Sequence, residues 1–173
     1  MEEKAISLVL IDDHTLFRSG LKALLTRQDD FVVVGEAADG LEGVKLVEQA
    51  KPDVVLLDLD MPVMNGREAL AQILETNENQ VVIMLTVSED GDDLTECMKM
   101  GADGYLLKKI DADFLIDSIR RAFEGDTIVS PEMTGKLVSR LRHDRTSSGA
   151  ADVNALTPRE RETLGWLAKG VSN

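Results

Sequence analysis

The stretch of residues 54–66 constrains the fold more than any other part of the sequence. It opens with four apolar residues, Val54 to Leu57, and continues directly into the acid Asp58. An apolar run without polar alternation predicts a strand buried on both faces, as in parallel sheets. Ligands of open α/β sheets bind beyond the carboxyl ends of such strands. A single acid at a strand end is usually a solvated cap, so the meaning of Asp58 depends on the other strand ends.

Strand-like runs and amphipathic segments alternate through residues 1–125. Apolar residues recur at helical spacing between the strands, as at Phe17, Leu21 and Leu25. Five βα units predict an α/β fold, a doubly wound five-stranded parallel sheet with helices on both faces. The predicted strands cover residues 6–11, 31–34, 54–57, 81–85 and 105–107.

The pattern changes beyond residue 125. Ser130 followed by Pro131 predicts a short linker helix that ends near residue 141. Residues 143–151 are polar and small, which is typical of a flexible linker.

A capping box at Thr157 and Glu160 opens a further helix, predicted to end near Lys169. One helix of about three turns cannot bury its apolar face alone. We therefore expect the first element of a partial all-α domain, whose remainder is missing from this chain. The predicted domains are residues 1–125, a linker with a short helix at 126–152, and the partial domain at 153–173.

Charge is divided unevenly along the chain. The net charge is −13, but residues 136–173 carry seven Lys and Arg against four Asp and Glu, a net +3, so residues 1–135 carry −16. This acidic body argues against nucleic-acid binding by most of the surface. No signal peptide or membrane span is predicted. Cys97 is the single cysteine, which favours the reducing cytoplasm and excludes a disulfide framework.

Polar residues of complementary chemistry close four of the five predicted strands. Asp12 and Asp13 follow the first strand, Asp58 the third, Thr86 the fourth and Lys108 the fifth. With the strand order 2-1-3-4-5, these side chains meet at one edge of the sheet. Three carboxylates repel one another unless a cation compensates, and Mg²⁺ prefers such oxygen ligands.

A carboxylate beside Mg²⁺ can act as a nucleophile toward phosphorus and form an aspartyl phosphate. Phosphoryl transfer requires mainly positioning and charge neutralisation, which Mg²⁺, the Lys108 ammonium and the Thr86 hydroxyl could supply. Each residue alone would be interpreted as a solvated surface group. Together they predict a phosphoryl site.

Several motifs in this chain are those of a known family. The resemblance is to two-component response regulators of the NarL/FixJ family, which have a receiver domain and a LuxR-type helix-turn-helix domain. The receiver-like motifs are Leu10-Ile-Asp-Asp-His14, Leu56-Leu-Asp-Leu-Asp-Met-Pro62, Met64-Asn-Gly66, Leu85-Thr-Val-Ser88 and Gly101-Ala-Asp-Gly-Tyr-Leu-Leu-Lys108. The helix-turn-helix-like motifs are Leu156-Thr-Pro-Arg-Glu-Arg-Glu162 and Gly170-Val-Ser-Asn173, the opening of that domain.

The resemblance implies a flavodoxin-like (CheY-like) receiver fold with strand order 2-1-3-4-5. It implies that Asp58 is the phosphoacceptor. It also implies that Mg²⁺ is held by Asp13, Asp58 and the main-chain carbonyl of Asp60, with Asp12 assisting through water.

Further roles follow from the same resemblance. Lys108 would contact the phosphoryl group, and movement of Thr86 would allow Tyr105 to turn inward, so Thr86 and Tyr105 form the switch pair. The implied partners are a sensor histidine kinase, a second copy after phosphorylation, and DNA for the full-length protein only. The implied protein is a cytoplasmic transcription regulator and not an enzyme, and nitrate or nitrite sensing is suggested by the NarL branch.

Two departures and two alternatives accompany this interpretation. Val63 stands where many relatives have Gly, and Asp60 where nitrate-responsive relatives often have Asn. The Asp58-Leu-Asp60 motif also resembles that of haloacid-dehalogenase-type phosphatases, although there the nucleophile lies near the start of the domain and the extra acids follow it. Another alternative is a receiver that acts through protein contacts only.

Overall fold

The computed structural model describes residues 5–148, which form one parallel sheet with helices on both faces. The strands are β1 (Ile6–Ile11), β2 (Phe31–Ala37), β3 (Val54–Leu57), β4 (Val81–Thr86), β5 (Gly104–Leu107) and β6 (Ile128–Val129). The helices are α1 (Thr15–Thr26), α2 (Gly40–Ala50), α3 (Gly66–Thr76), α4 (Gly91–Met100), α5 (Ala112–Phe123) and α6 (Pro131–Ser148). The strands lie in the order β2-β1-β3-β4-β5-β6.

Strand β3 lies inside the sheet, paired with β1 on one side and β4 on the other. Its residues alternate between two apolar cores. Val55 and Leu57 belong to the core on one face, while Val54 and Leu56 belong to the core on the other. All four side chains are buried. The prediction of a strand buried on both faces is therefore confirmed.

Polar side chains stand at the starts of α2, α3 and α5, and two of these starts are capped. Asn65 and Glu68 form a reciprocal capping box at the start of α3, which satisfies two backbone N–H groups that the helix cannot. The Asp39 side chain accepts a hydrogen bond from the Glu42 N–H at the start of α2. Asp111 occupies the equivalent position before α5, but its side chain caps no described backbone N–H.

The sheet has one strand more than the five predicted. Ile128 and Val129 form β6, which pairs in parallel with Gly104 and Tyr105 of β5. A two-residue strand has no periodicity to reveal it, and its pairing depends on how the chain returns to the sheet after α5. The prediction of five strands was wrong by this one, although the order of the first five is confirmed.

The linker helix is also longer than predicted. We predicted an end near residue 141 and a flexible linker from residue 143, but α6 continues to Ser148. No Gly or Pro interrupts the sequence between residues 136 and 148, so nothing in that stretch breaks a helix that has already begun. The predicted helix-turn-helix opening at 153–173 lies outside the described residues.

The first turn of α6 is anchored to β5. The Ser130 N–H donates to the Tyr105 carbonyl at 3.0 Å, and the Ser130 Oγ accepts from the Leu107 N–H at 2.9 Å. Met133 is fully buried in the same apolar core as Tyr105. The start of α6 is thus packed as part of the same body as the sheet. None of the helices in residues 5–148 has both the length and the apolar character needed to span a membrane.

Candidate functional site

Asp58 lies at the carboxyl end of β3, where the sheet meets the edge loops. Its residue is only 3% exposed, and its backbone N–H donates to the Ile11 carbonyl at 3.0 Å. One side-chain oxygen, Oδ1, accepts the Leu59 N–H at 2.8 Å. The backbone and the Leu59 amide therefore fix the carboxylate in one orientation.

Lys108, at the end of β5, reaches across to the same carboxylate. Its Nζ lies 3.2 Å from Asp58 Oδ2 and 2.8 Å from Asp12 Oδ2, and its side chain is 8% exposed. The ammonium also lies over the Phe17 ring, 4.7 Å from the centroid, within the range of a cation–π contact. Strands β1, β3 and β5 thus bring together three of the predicted site residues.

Burial raises the pKa of the Asp58 carboxyl above its usual range, and the nearby negative charge of Asp12 raises it further. The Lys108 ammonium and the Leu59 N–H act in the opposite direction. A buried carboxylate whose charge is incompletely compensated gains from a further cation.

Asp13 supplies an independent sign that a cation belongs here. Its Oδ1 is buried and has no hydrogen-bond partner among the described residues. Asp12, Asp13, His14 and Asp58 each offer a ligand atom, and these atoms all lie within 4.8 Å of one another. Carboxylate oxygens are the ligands that Mg²⁺ prefers. The residues present therefore fit a magnesium ion.

The Asp60 side chain is exposed and lies outside this group of ligand atoms. The family resemblance implies that the main-chain carbonyl of Asp60 is a metal ligand, and that role stays a prediction.

Thr86 and Tyr105 lie on neighbouring strands, and both are fully buried. The Thr86 Oγ1 accepts the Ser88 N–H at 3.2 Å, and the Tyr105 hydroxyl donates to the Ser88 carbonyl at 2.9 Å. Burial is the main reason why the pKa of Tyr105 is raised. We expected Tyr105 to turn inward only after Thr86 moves. The side chain already lies inside, because the Ser88 carbonyl accepts its hydroxyl there.

His14 belongs to the site although the sequence reasoning assigned it no role. Its Nδ1 lies 2.9 Å from Lys108 Nζ and 3.3 Å from Asp12 Oδ1. Its position directly after the two acids of the first strand end was the available signal. The direction of its side chain, however, depends on where α1 begins.

The loop between β3 and α3 is tightly held and strained. The Met64 N–H donates to the Pro62 carbonyl at 2.7 Å, which closes a three-residue γ-turn around Val63, whose φ is +68°. A positive φ is a true outlier for a β-branched residue. A Cβ at Gly66 would lie 2.1 Å from the Asp58 carbonyl oxygen, so α3 starts directly against the acceptor residue.

The response regulator receiver domain family matches residues 8–120, more than half of the chain. The chain therefore belongs to the response regulator family, proteins of two-component signalling. Within this family its relatives include NarL, DegU and a LuxR-family regulator, so the chain belongs with the NarL group of receivers. Its relatives are response regulators that control transcription and are not enzymes in the usual sense.

The similarity to these relatives extends over nearly the whole chain. The chain is 39% identical over 171 residues to the nitrate/nitrite response regulator protein NarL of Escherichia coli K12, covering 99% of this chain and 79% of that protein. It is 42% identical over 168 residues to the transcriptional regulatory protein LiaR of Bacillus subtilis, covering 97% and 79%. A LuxR-family two-component response regulator from Aurantimonas sp. has a similar structure, with a TM-score of 0.76, 27% identity, and coverage of 80% of this chain and 99% of that chain.

Proposed function

We propose that Asp58 accepts a phosphoryl group from a sensor histidine kinase, and that the resulting change in the receiver controls transcription through a C-terminal LuxR-type segment. The observation that carries the proposal is the buried Asp58 carboxylate, 3.2 Å from the Lys108 ammonium and beside the acids Asp12 and Asp13. In this proposal residues 1–125 are the receiver, 126–152 the linker and 153–173 the start of the DNA-binding segment.

We assign Mg²⁺ to the carboxylates of Asp13 and Asp58 and the main-chain carbonyl of Asp60, with Asp12 assisting through water. When bound, the ion supplies positive charge that offsets the carboxylates and the phosphoryl oxygens. The buried Oδ1 of Asp13, which accepts no hydrogen bond within residues 5–148, supports this assignment.

The proposed reaction makes one bond and breaks one. A carboxylate oxygen of Asp58 attacks the phosphorus of the kinase phosphohistidine, the new O–P bond forms, and the N–P bond breaks with its electrons returning to the imidazole. The product carries about two negative charges on the phosphoryl group, in place of the single charge of the Asp58 carboxylate. Lys108 and the Thr86 hydroxyl are the proposed partners of the phosphoryl oxygens, each at about 1.5–3 kcal/mol. Their sum approaches the ~5.5 kcal/mol needed to invert a two-state population.

The contacts of Thr86 suggest how the change travels. A Thr86 hydroxyl that turns to the phosphoryl group gives up the Ser88 N–H, and the Ser88 carbonyl is also what holds the Tyr105 hydroxyl. The Tyr105 carbonyl in turn holds the Ser130 N–H at the start of α6. We infer that Thr86 and Tyr105 are the switch pair, and that α6 transmits the change toward the C-terminal segment.

The acceptor assignment is tested with acetyl phosphate and Mg²⁺, by intact mass. The chain should gain one phosphoryl group, and Asp58→Asn should gain none. Asp60→Asn is the matched control, since its exposed side chain has no proposed role, and it should still gain the group. A phosphorylated Asp58→Asn would contradict the assignment.

The metal assignment is tested separately. Asp13→Asn should weaken Mg²⁺ binding in a titration, because one of the carboxylate ligands is lost, while the unfolding midpoint in chelator stays near that of the parent. Equal Mg²⁺ affinity for both proteins would remove Asp13 from the ligand set.

We further propose self-association after phosphorylation, since response regulators of this family usually dimerise, and sedimentation of the phosphorylated chain tests it. Nitrate or nitrite is one candidate signal, because the E. coli relative is a nitrate/nitrite response regulator. LiaR has a similar sequence identity to this chain, and its name mentions neither nitrate nor nitrite. Rates of phosphoryl transfer from the two relatives' kinases would decide between the two kinds of signal.

A further inference from the structure

His14 stands directly before α1, and its imidazole faces the charged groups of the site. Its side chain is 58% exposed and caps no described backbone N–H of the helix. The ring atom Nδ1 lies 2.9 Å from Lys108 Nζ, 3.7 Å from Asp13 Oδ1 and 3.8 Å from Asp58 Oδ2. No role assigned so far uses this ring.

The chemistry of the two partners fixes the direction of the contact. A lysine ammonium only donates hydrogen bonds. In this contact the Nδ1 of His14 is therefore the acceptor, which requires the ring proton to lie on Nε2. The ammonium has three N–H groups, and three acceptors surround it: His14 Nδ1 at 2.9 Å, Asp12 Oδ2 at 2.8 Å and Asp58 Oδ2 at 3.2 Å.

These three acceptors differ in what else they have to do. Under the proposed function Asp58 becomes the phosphorylated group, and Asp12 supports the metal. His14 has no such second task, and as a neutral acceptor it anchors the ammonium without cancelling its charge. Among the three described acceptors around Lys108, it is the one to which the proposed function gives no other task.

We propose that His14 is a positioning residue, whose Nδ1 holds the Lys108 ammonium where the transferred phosphoryl group must meet it. The inference rests on the proposed function. A lysine side chain has many rotamers. If its ammonium is already fixed when the phosphoryl group arrives, less conformational entropy is lost during the transfer.

The test compares three substitutions of this exposed residue. The Oδ1 of an asparagine can take the place of Nδ1, the acceptor of a glutamine lies one bond further out, and a leucine has none. His14→Leu and His14→Gln should slow phosphorylation by acetyl phosphate about tenfold, the effect of one hydrogen bond to a charged group. His14→Asn should stay within about twofold of the parent. Equal rates for His14→Asn and His14→Leu, fast or slow, would overturn the proposal.

A double substitution shows whether His14 acts through Lys108. In a Lys108→Ala background, His14→Leu should produce no further slowing beyond about twofold, because residues that act as one unit are not additive. A full tenfold further loss would place the effect of His14 elsewhere.

Two readouts do not depend on phosphorylation. Nitrogen NMR of the imidazoles should show that the His14 proton lies on Nε2, and the preference for this tautomer should weaken in Lys108→Ala. Assignment is simple because the chain has only two histidines. The Mg²⁺ affinity of His14→Leu should equal that of the parent, and a large drop would make His14 a metal ligand, which overturns the positioning role.

Failure of this inference can be told apart from failure of the proposed function. If the parent chain gains no phosphoryl group on Asp58, the proposed function is wrong. If the parent gains it and His14→Leu gains it equally fast, only the positioning role is wrong.

Discussion

Val63 offers a direct measurement of the strain stored beside the acceptor. We predict that Val63→Gly stabilises the fold. The residue sits at the centre of a γ-turn with φ +68°, closed by the Met64 N–H and the Pro62 carbonyl. Backbone strain of this kind costs about 1–3 kcal/mol. Glycine adopts a positive φ freely, so the substitution should release most of that strain.

Two smaller losses oppose this gain. Glycine makes the unfolded chain more flexible, which destabilises the folded state by about 0.5–1 kcal/mol. Val63 is 77% exposed. Removing its side chain therefore loses less than about 0.5–1 kcal/mol of hydrophobic stabilisation, a fraction of the value for a fully buried valine. At the central values, about 2 kcal/mol of released strain exceeds the two losses of about 0.75 kcal/mol or less each, so the expected net stabilisation is about 0.5–1 kcal/mol. Each kcal/mol raises the unfolding midpoint by roughly 2–4 °C for a chain of this size.

The assay is urea unfolding followed by far-UV circular dichroism, with two matched variants. Val87→Gly removes an equally exposed valine (66%) that lacks a positive φ, and it should be destabilised by about 0.5–1 kcal/mol. Val63→Ala keeps a Cβ in the strained conformation and should gain much less than Val63→Gly. A Val63→Gly chain as destabilised as Val87→Gly would refute the reasoning.

Two further substitutions test the packing around the site, both by urea unfolding. Gly66→Ala should destabilise the fold by about 3 kcal/mol or more, because its Cβ would lie 2.1 Å from the Asp58 carbonyl oxygen. The control Gly20→Ala, with open space around it, should instead stabilise α1 by up to about 1 kcal/mol. Similar values for the two substitutions would be inconsistent with this geometry. Ser130→Ala should cost about 1–3 kcal/mol by leaving the buried Leu107 N–H unpaired, and a loss below about 0.5 kcal/mol would mean that the N–H finds another acceptor.

The sequence was sufficient for the parts of the site that lie at strand ends. Asp58, Asp12 and Lys108 each follow a run of apolar residues that predicts a buried strand, and parallel strands end at the same edge. Once the strand order was expected, their meeting required no knowledge of side-chain geometry. The 2.8 Å and 3.2 Å contacts of Lys108 are consistent with that expectation.

What the sequence could not provide depends on contacts between distant segments. The two-residue strand β6 exists because Ile128 and Val129 return to pair with β5, and so short a segment has no period of its own. The His14 ring contacts Lys108 because the residue before α1 and the residue after β5 lie at the same edge of the sheet. The buried position of Tyr105 depends on the Ser88 carbonyl, in a loop whose path no local pattern dictates.

The buried charge of Asp58 leads to a prediction about pH that can be made with its sign. Because burial raises the folded pKa of this carboxyl above its ordinary value of 3.8, the folded chain binds the proton more tightly than the unfolded chain. Its contribution to stability is therefore present below the unfolded pKa and is lost as the pH rises through the folded pKa.

In chelator, Asp58→Asn should gain stability over the parent as the pH rises above about 4, measured by urea unfolding from pH 4 to 7.5. Asp30→Asn is a contrasting control, since the hydrogen bonds from Arg120 lower the pKa of Asp30. The stability contribution of Asp30 is lost only below about pH 4, so the difference between Asp30→Asn and the parent should stay nearly constant from pH 5 to 7.5. Mg²⁺ should reduce the advantage of Asp58→Asn, because the ion offsets the charge that the parent alone carries. A stability difference between Asp58→Asn and the parent that is independent of pH would show that the charged Asp58 carboxylate does not destabilise the fold.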